Sequence, residues 1–241
     1  MEQVELKEDN FGAKYLWMKN TVSFSELCNY TVELPASKHG SPEVKAAKMN
    51  KIRNLKDYDT FKEVPDEGQE MIASQEVITQ KEKHDGQKQA CKARLVAKGF
   101  KESLKPQSDS PTASKESFKM LMAVASNSGL KLASVDIRAA FLQSKVLDRE
   151  VFKEPPSDVK KQGWIWKLRK PLHGLDDASR MFWLHVKEVF LCELGFQTIH
   201  GDEAFYYSNV EGILQETILT HVDDFYTAGT PDLYRKRIDH V

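Results

Sequence analysis

Two periodicities run through the chain, and they divide it into elements. Residues 43–56, EVKAAKMNKIRNLK, place Ala46, Met49, Ile52 and Leu55 three apart, which predicts an amphipathic helix burying that stripe. Residues 90–98, ACKARLVAK, switch to a period of two. Cys91, Ala93, Leu95 and Ala97 form a small or apolar side, while Lys92, Arg94 and Lys98 point the other way with Val96 among them. That alternation predicts a half-buried strand with a cationic face. The segment SKESFKMLMAVASNSG, 114–129, reads as a helix with its punctuation. Ser114 caps it, Ser117 lies in its first turn, Phe118, Leu121, Met122 and Ala125 make the buried stripe, and Gly129 ends it.

KLASVDIRAAF follows as a strand, with Ala133, Val135 and Ile137 on one side and Ser134, Asp136 and Arg138 on the other. A second long helix is predicted over 177–194, striped by Phe182, Val186, Val189 and Phe190 and closed by Gly195. The stretch 203–222 reads as two strands joined by a turn near Asn209 to Gly212. Strands fall before and after helices without strict alternation, which favours an α+β fold. The two helix stripes predict that both helices cover a single face of one central antiparallel sheet. Residues 1–40 show weak periodicity and end in the turn-rich PASKHGSP, so the main domain is expected over 41–241, with 1–40 unassigned.

Composition narrows the class. With 241 residues the chain is long enough for one large domain or two small ones, and 40% apolar with 29% charged residues is ordinary for a globular protein. The apolar run MLMAVA is far too short to span a bilayer, and MEQVELKEDN has no signal-peptide character. Cys28, Cys91 and Cys192 are odd in number and far apart, which argues against a disulfide framework or zinc site and for an intracellular setting in cytoplasm or nucleus. The net charge of -1 carries no global basic footprint, but it is unevenly spread. Residues 81–105 hold eight Lys or Arg against three acids, and residues 201–241 hold eight acids against three basic residues. Such runs are either solvated faces or the walls of a groove.

One short stretch, THVDDFYTAG at 220–229, puts adjacent carboxylates into an otherwise apolar run. It reads as a hairpin with a two-residue break at Asp223 and Asp224. Asp136 ends an earlier strand, 87 residues upstream of Asp223. Two readings follow from the residues. Asp favours turns, so the pair is turn chemistry; or carboxylates at strand ends hold hard divalent cations, which take oxygen ligands.

The motifs CKARLVAKGF, SVDIRAAFLQS, KLRKPLHGLDDASRMFW and THVDD, in this order and spacing, resemble the reverse transcriptase of copia-type LTR retrotransposon Pol polyproteins. The lead-in KAAKMNKIRNLKDYDTFKEVPDEG is similar too. The resemblance covers residues 41 to 241 and implies polymerase fingers and part of a palm. It implies two Mg²⁺ or Mn²⁺ ions held by Asp136, Asp223 and Asp224, which would also be the catalytic residues. It implies nucleotide binding by Lys81, Lys92 and Arg94 on a fingers hairpin, by Ala140 and Phe141 beside the sugar, and by Gly174 in the HGL turn. Phe141 would be the bulky residue leaving no room for a 2'-hydroxyl. From the residues alone, a plain core aromatic is the alternative for Phe141, and Lys92 and Arg94 are equally a solvated strand face. The implied partners are an RNA or DNA template–primer, deoxynucleoside triphosphates and the rest of a Pol polyprotein, with no membrane.

The pattern is not followed throughout. His221 and His173 stand where the family has Tyr, Asp176 and Asp177 where it has Lys and Gln, and Glu76 where it has Trp. The chain ends 17 residues after Asp224, so it is expected to be a fragment. Three functions are carried forward: an RNA-directed DNA polymerase, a non-catalytic transposon relic with at most weak nucleic-acid binding, and a two-metal nuclease sharing the carboxylate logic.

Overall fold

A computed structural model describes residues 6–8, 14–16, 30–82, 88–103 and 105–229, with Cys28 and everything beyond Gly229 outside them. In chain order the strands begin with β1 (Leu6–Glu8), β2 (Lys14–Leu16) and β3 (Tyr30–Glu33). Helix α1 (Pro42–Asp57) leads to β4 (Phe61–Pro65), β5 (Met71–Ile72), β6 (Ser74–Glu82) and β7 (Lys88–Ala97). Helix α2 (Lys115–Ser128), β8 (Lys131–Asp136) and the single turn α3 (Ala140–Gln143) come next. They are followed by β9 (Val151–Lys153), β10 (Trp164–Leu168) and α4 (Ala178–Glu188), which runs on as a wide turn over Val189–Glu193. The last strands are β11 (Gln197–Ile199), β12 (Asp202–Val210), β13 (Ile213–His221) and β14 (Asp224–Gly229).

These elements sort into two units. The first takes residues 1–22, 109–140 and 179–241. Its seven strands form one sheet in the order β1-β2-β8-β14-β13-β12-β11, antiparallel throughout. The β12–β13 hairpin turns at Glu211 and Gly212, both with positive φ, as a tight two-residue hairpin requires. Helix α2 is capped by the Ser114 hydroxyl, which accepts the Ser117 N–H at 3.0 Å, and ends at Gly129 in the left-handed region (φ 63°). Its buried stripe is Ser117, Leu121 and Ala125, with Phe118 edge-on to Tyr226 at 4.5 Å. Met122, expected in that stripe, is 50% exposed; a four-residue repeat keeps 117, 121 and 125 in line and rotates 122 out.

The expectation that both helices share one face is corrected by the ring contacts. Helix α2 meets Tyr226, while Phe182 of α4 stacks on Phe225 at 6.3 Å and Phe190 meets Phe225 at 5.8 Å and Tyr206 at 4.9 Å. Neighbouring residues on a strand point to opposite faces, so the two helices cover opposite faces of the sheet. The sheet is apolar on both sides accordingly: Phe205, Leu219 and Ala228 pack under α2, and Tyr206, Ile218 and Phe225 lie on the other side, all buried.

The second unit takes residues 23–108 and 141–178. It holds a three-stranded antiparallel sheet, β3-β6-β7, and a four-stranded sheet, β4-β10-β9-β5, whose β5–β9 pair is parallel. Helix α1 starts at Ser41, whose hydroxyl accepts the Val44 N–H, with Pro42 in its first turn, and it packs on β7. Its buried residues are Val44, Ile52 and Leu55, whereas Ala46 is exposed and Met49 is 47% exposed. The inward face therefore repeats as 44, 48, 51–52 and 55, and it includes two lysines. Lys48 is satisfied there by Glu76 at 2.6 Å and Asp158 at 3.5 Å.

A buried ion cluster fixes the second unit's loops. Arg149 donates to Glu102 at 2.8 and 3.1 Å and to both carboxylate oxygens of Asp177, one of them at 3.1 Å. Burial opposes the Arg149 charge, and the two carboxylates more than offset it, so its pKa is raised overall.

Candidate active site

In the first unit, three carboxylates meet at one end of the sheet. Strand β14 pairs with β8 so that Asp224 lies directly opposite Asp136. Facing residues of an antiparallel pair have Cα atoms roughly 4.5–5.5 Å apart and side chains on the same side. Asp223 sits in the two-residue loop between His221 and Asp224, and its carbonyl accepts the Ile137 N–H at 2.9 Å. The loop is Val222–Asp223, one residue earlier than the break expected from the sequence; Asp224 already belongs to the strand. Lys14 of β2 pairs with Asp136 on its other side in the backbone register, so β8 is an interior strand.

Electrostatics ties the three acids together. The Asp224 pKa is raised above its ordinary value by burial first, then by the charges of Asp223 and Asp136, while His221 opposes the rise. Asp136 is exposed and the other two are half-buried. Among the described residues, no Lys or Arg forms an ion pair with any of the three. Among the described residues, no group of three acidic, His or Cys side chains is gathered tightly enough to hold a metal ion as it stands. The donor set nonetheless fits a hard divalent cation in its chemistry: it is all oxygen and anionic.

The loop that presents Asp223 is strained. Val222 has φ 58°, a region that a β-branched residue enters at a cost of about 1–2 kcal/mol. Nothing in the sequence signals this, since the usual Gly or Asn of a tight hairpin is absent. Val222→Gly is expected to raise stability by about 0.5–1 kcal/mol, the relieved strain exceeding the added chain entropy. A thermal melt checks it; a loss of more than about 0.5 kcal/mol would contradict strain at this position.

In the second unit, the cations take up the positions their alternation predicted. Lys92 faces Thr79 across β6 and β7, and Arg94 faces Val77, so both side chains lie on the sheet face opposite Glu76, which α1 grips through Lys48. Lys81, two residues past Thr79, follows the same alternation at the edge of a bulge and is exposed. Arg94 donates to the Thr79 hydroxyl at 3.4 Å. Phe141 is half-buried with its ring edge-on to His173 at 4.8 Å. Ala140, in the first unit, is buried at the start of α3.

Gly174 owes its identity to a backbone crossing. The Ala97 N–H donates to the His173 carbonyl at 2.7 Å, and the Gly99 N–H to the Gly174 carbonyl at 3.0 Å. At φ +88°, a Cβ on Gly174 would stand 2.1 Å from the Ala97 carbonyl oxygen. One on Gly99 would stand 2.6 Å from the Gly174 carbonyl oxygen.

Sequence reasoning passes over one charged residue altogether. Lys51, on the inward side of α1, has its pKa lowered to about 8 by burial, then by the charges of Lys92 and Arg94. His173 is pushed down to about 4 by burial, then by Lys51, Arg94 and Lys92. The signal lies in the 44, 48, 51–52, 55 repeat, but lysines at the inward positions hide it.

Comparison with known proteins bears on both constellations. A family model described as reverse transcriptase (RNA-dependent DNA polymerase) matches residues 58–234. The Retrovirus-related Pol polyprotein from transposon RE1 of Arabidopsis thaliana is 29% identical over 174 residues, covering 68% of this chain and 12% of that protein. The corresponding polyprotein from transposon RE2 of the same plant is 29% identical over 168 residues, 66% of this chain and 11% of that protein. The chain thus matches about a tenth of the length of these relatives. The matched span takes in β4 through β14, with the three aspartates and with Lys81, Lys92 and Arg94, and the chain belongs to the reverse transcriptase (RNA-dependent DNA polymerase) family.

Proposed function

We propose that the chain carries an RNA-directed DNA polymerase, transferring nucleotidyl groups from deoxynucleoside triphosphates to a primer on an RNA or DNA template. The observation that carries this reading is the pairing of Asp136 with Asp224 beside Asp223, where burial and then the charges of the other two carboxylates raise the Asp224 pKa. Asp136 and Asp223 would hold both divalent ions, Mg²⁺ or Mn²⁺, with Asp224 as a further ligand. Such ions activate a 3'-hydroxyl and stabilise the leaving pyrophosphate. Lys81, Lys92 and Arg94, the fingers cations of this reading, neutralise the triphosphate. Phe141 fills the space a 2'-hydroxyl would need, with Ala140 next to it in the chain, and Gly174 shapes the turn beside the nucleotide. Catalysis of this kind rests on positioning and on charge stabilisation. The chain would work inside the cell as part of a Pol polyprotein; among the described residues no helix is long and apolar enough to cross a membrane.

The family departures bear on the alternative, an inactive relic. Unselected drift leaves new charges without partners, yet each substituted residue is engaged here. Asp176 meets Lys105 at 3.3 Å, Asp177 meets Arg149, Glu76 meets Lys48 at 2.6 Å, and His173 packs on Phe141. His221 faces Asp224 across the hairpin. These partnerships support a maintained fold. Primer extension on an RNA template tests the proposal, using the chain alone and the chain joined after Val241 to the continuing segment of a family member. Extension dependent on deoxynucleotides is expected from the joined protein. Primer shortening would favour a nuclease, and an inert joined protein would favour the relic.

A further inference from the structure

Pairing across three neighbouring strands of the first unit sets one more metal-ligating side chain beside the acids. His221 of β13 faces Asp224 of β14, and Asp136 of β8 faces Asp224 from the other side. Residues that face each other in an antiparallel ladder project to the same side of the sheet. His221, Asp224 and Asp136 therefore form one row on one face, with Cβ atoms roughly 5 Å from neighbour to neighbour. Asp223 sits in the loop that joins the first two. The His221 ring is exposed, and among the described residues it has no hydrogen bond or ion pair. Among the described residues no three donors are gathered as a finished shell. What the register fixes is the facing pair, imidazole and carboxylate, with a second carboxylate on the loop between them.

We infer that His221 is a nitrogen ligand to the divalent ion that Asp224 helps to hold, and that it tips this site from Mg²⁺ toward Mn²⁺. The inference rests on the reading of the three aspartates as an ion site and adds a donor of different chemistry to them. Two physical arguments favour it. Mg²⁺ demands oxygen ligands in near-ideal octahedral geometry and gives up its waters reluctantly, whereas first-row transition ions accept imidazole. Exchanging one water of the shell for the His221 ring therefore helps Mn²⁺ more than Mg²⁺. The second argument is charge. Asp223 and Asp136 already act against the ionised form of Asp224. A neutral imidazole adds a ligand there without adding to that repulsion, as a fourth carboxylate would.

The test is pulsed electron paramagnetic resonance of Mn²⁺ bound to the whole chain, with competition by Mg²⁺ to measure the ratio of the two affinities. The parent is expected to show the modulation of a directly coordinated imidazole nitrogen, and His221→Ala to lose it. The ratio of Mn²⁺ to Mg²⁺ affinity is expected to fall about tenfold in His221→Ala, with the loss on the Mn²⁺ side. Because the ring is exposed, His221→Ala should melt with the parent. His221→Gln, which keeps a polar side chain without an imidazole, is expected to lose the nitrogen modulation as well. Modulation that is missing from the parent or survives in both variants, or an unchanged affinity ratio, would overturn the role of His221 alone. Mn²⁺ binding that is indifferent to Asp136→Asn and to Asp223→Asn, or no binding by the parent at millimolar Mn²⁺, would overturn the ion site on which it rests.

Discussion

Gly174→Ala is expected to cost about 3–5 kcal/mol, enough to unfold the second unit of a marginally stable protein. Two effects combine. The residue sits at φ +88°, and its Cβ would stand 2.1 Å from the Ala97 carbonyl oxygen. That oxygen belongs to backbone held by the hydrogen bonds from Ala97 to His173 and from Gly99 to Gly174, so it has little freedom to retreat. Gly68 separates the two effects: its φ is +85°, and a Cβ there meets nothing within 4 Å. Gly68→Ala should therefore cost only about 1 kcal/mol. Denaturant melts of the two variants give the clash by difference. Equal losses would show that β7 does not cross the His173–Gly174 turn as described.

The other large effect belongs to the acids. In the joined protein, Asp136→Asn or Asp223→Asn is expected to lower primer extension about a thousandfold or more, since under the proposed two-metal reading each would remove a charge that the ions would need. Stability should move the other way. Asp224 is held above its ordinary pKa by burial and by the two other carboxylates. With its folded pKa above the unfolded one, its ionised form penalises the fold as pH rises through this range, and removing a neighbouring charge relieves that penalty. An asparagine variant that melts no lower than the parent, yet extends no primer, is the signature of residues kept for function. Extension that survives Asp223→Asn would overturn the catalytic assignment.

Much of this is legible in the order of residues alone. Alternation places Asp136 at a strand end and puts Lys92 and Arg94 on one face, and the caps at Ser114 and Gly129 bound α2 to the residue. Three features are not legible in that way. A helix stripe says that a face is buried but not against which side of a sheet, so the stripes of α2 and α4 do not reveal that the two helices lie on opposite sides. The corrective signal lies in β12 and β14, where Phe205 and Tyr206, or Phe225 and Tyr226, are apolar at consecutive positions, as in a sheet covered twice. The inward face of α1 is hard to place because Met49 looks apolar and Lys51 does not, although long stems and local partners let lysines face inward. The strain at Val222 has no compositional trace, because it is imposed by the pairing of His221 with Asp224 on either side of it.

The central claim is that Asp136, Asp223 and Asp224 form a cation site. The most direct measurement is a titration of the chain with Mn²⁺ followed by electron paramagnetic resonance, comparing the parent with Asp136→Asn. Saturable loss of the free-ion signal at millimolar or lower Mn²⁺, weakened at least tenfold by the substitution, is the predicted result. Identical titration curves for the two proteins would contradict it.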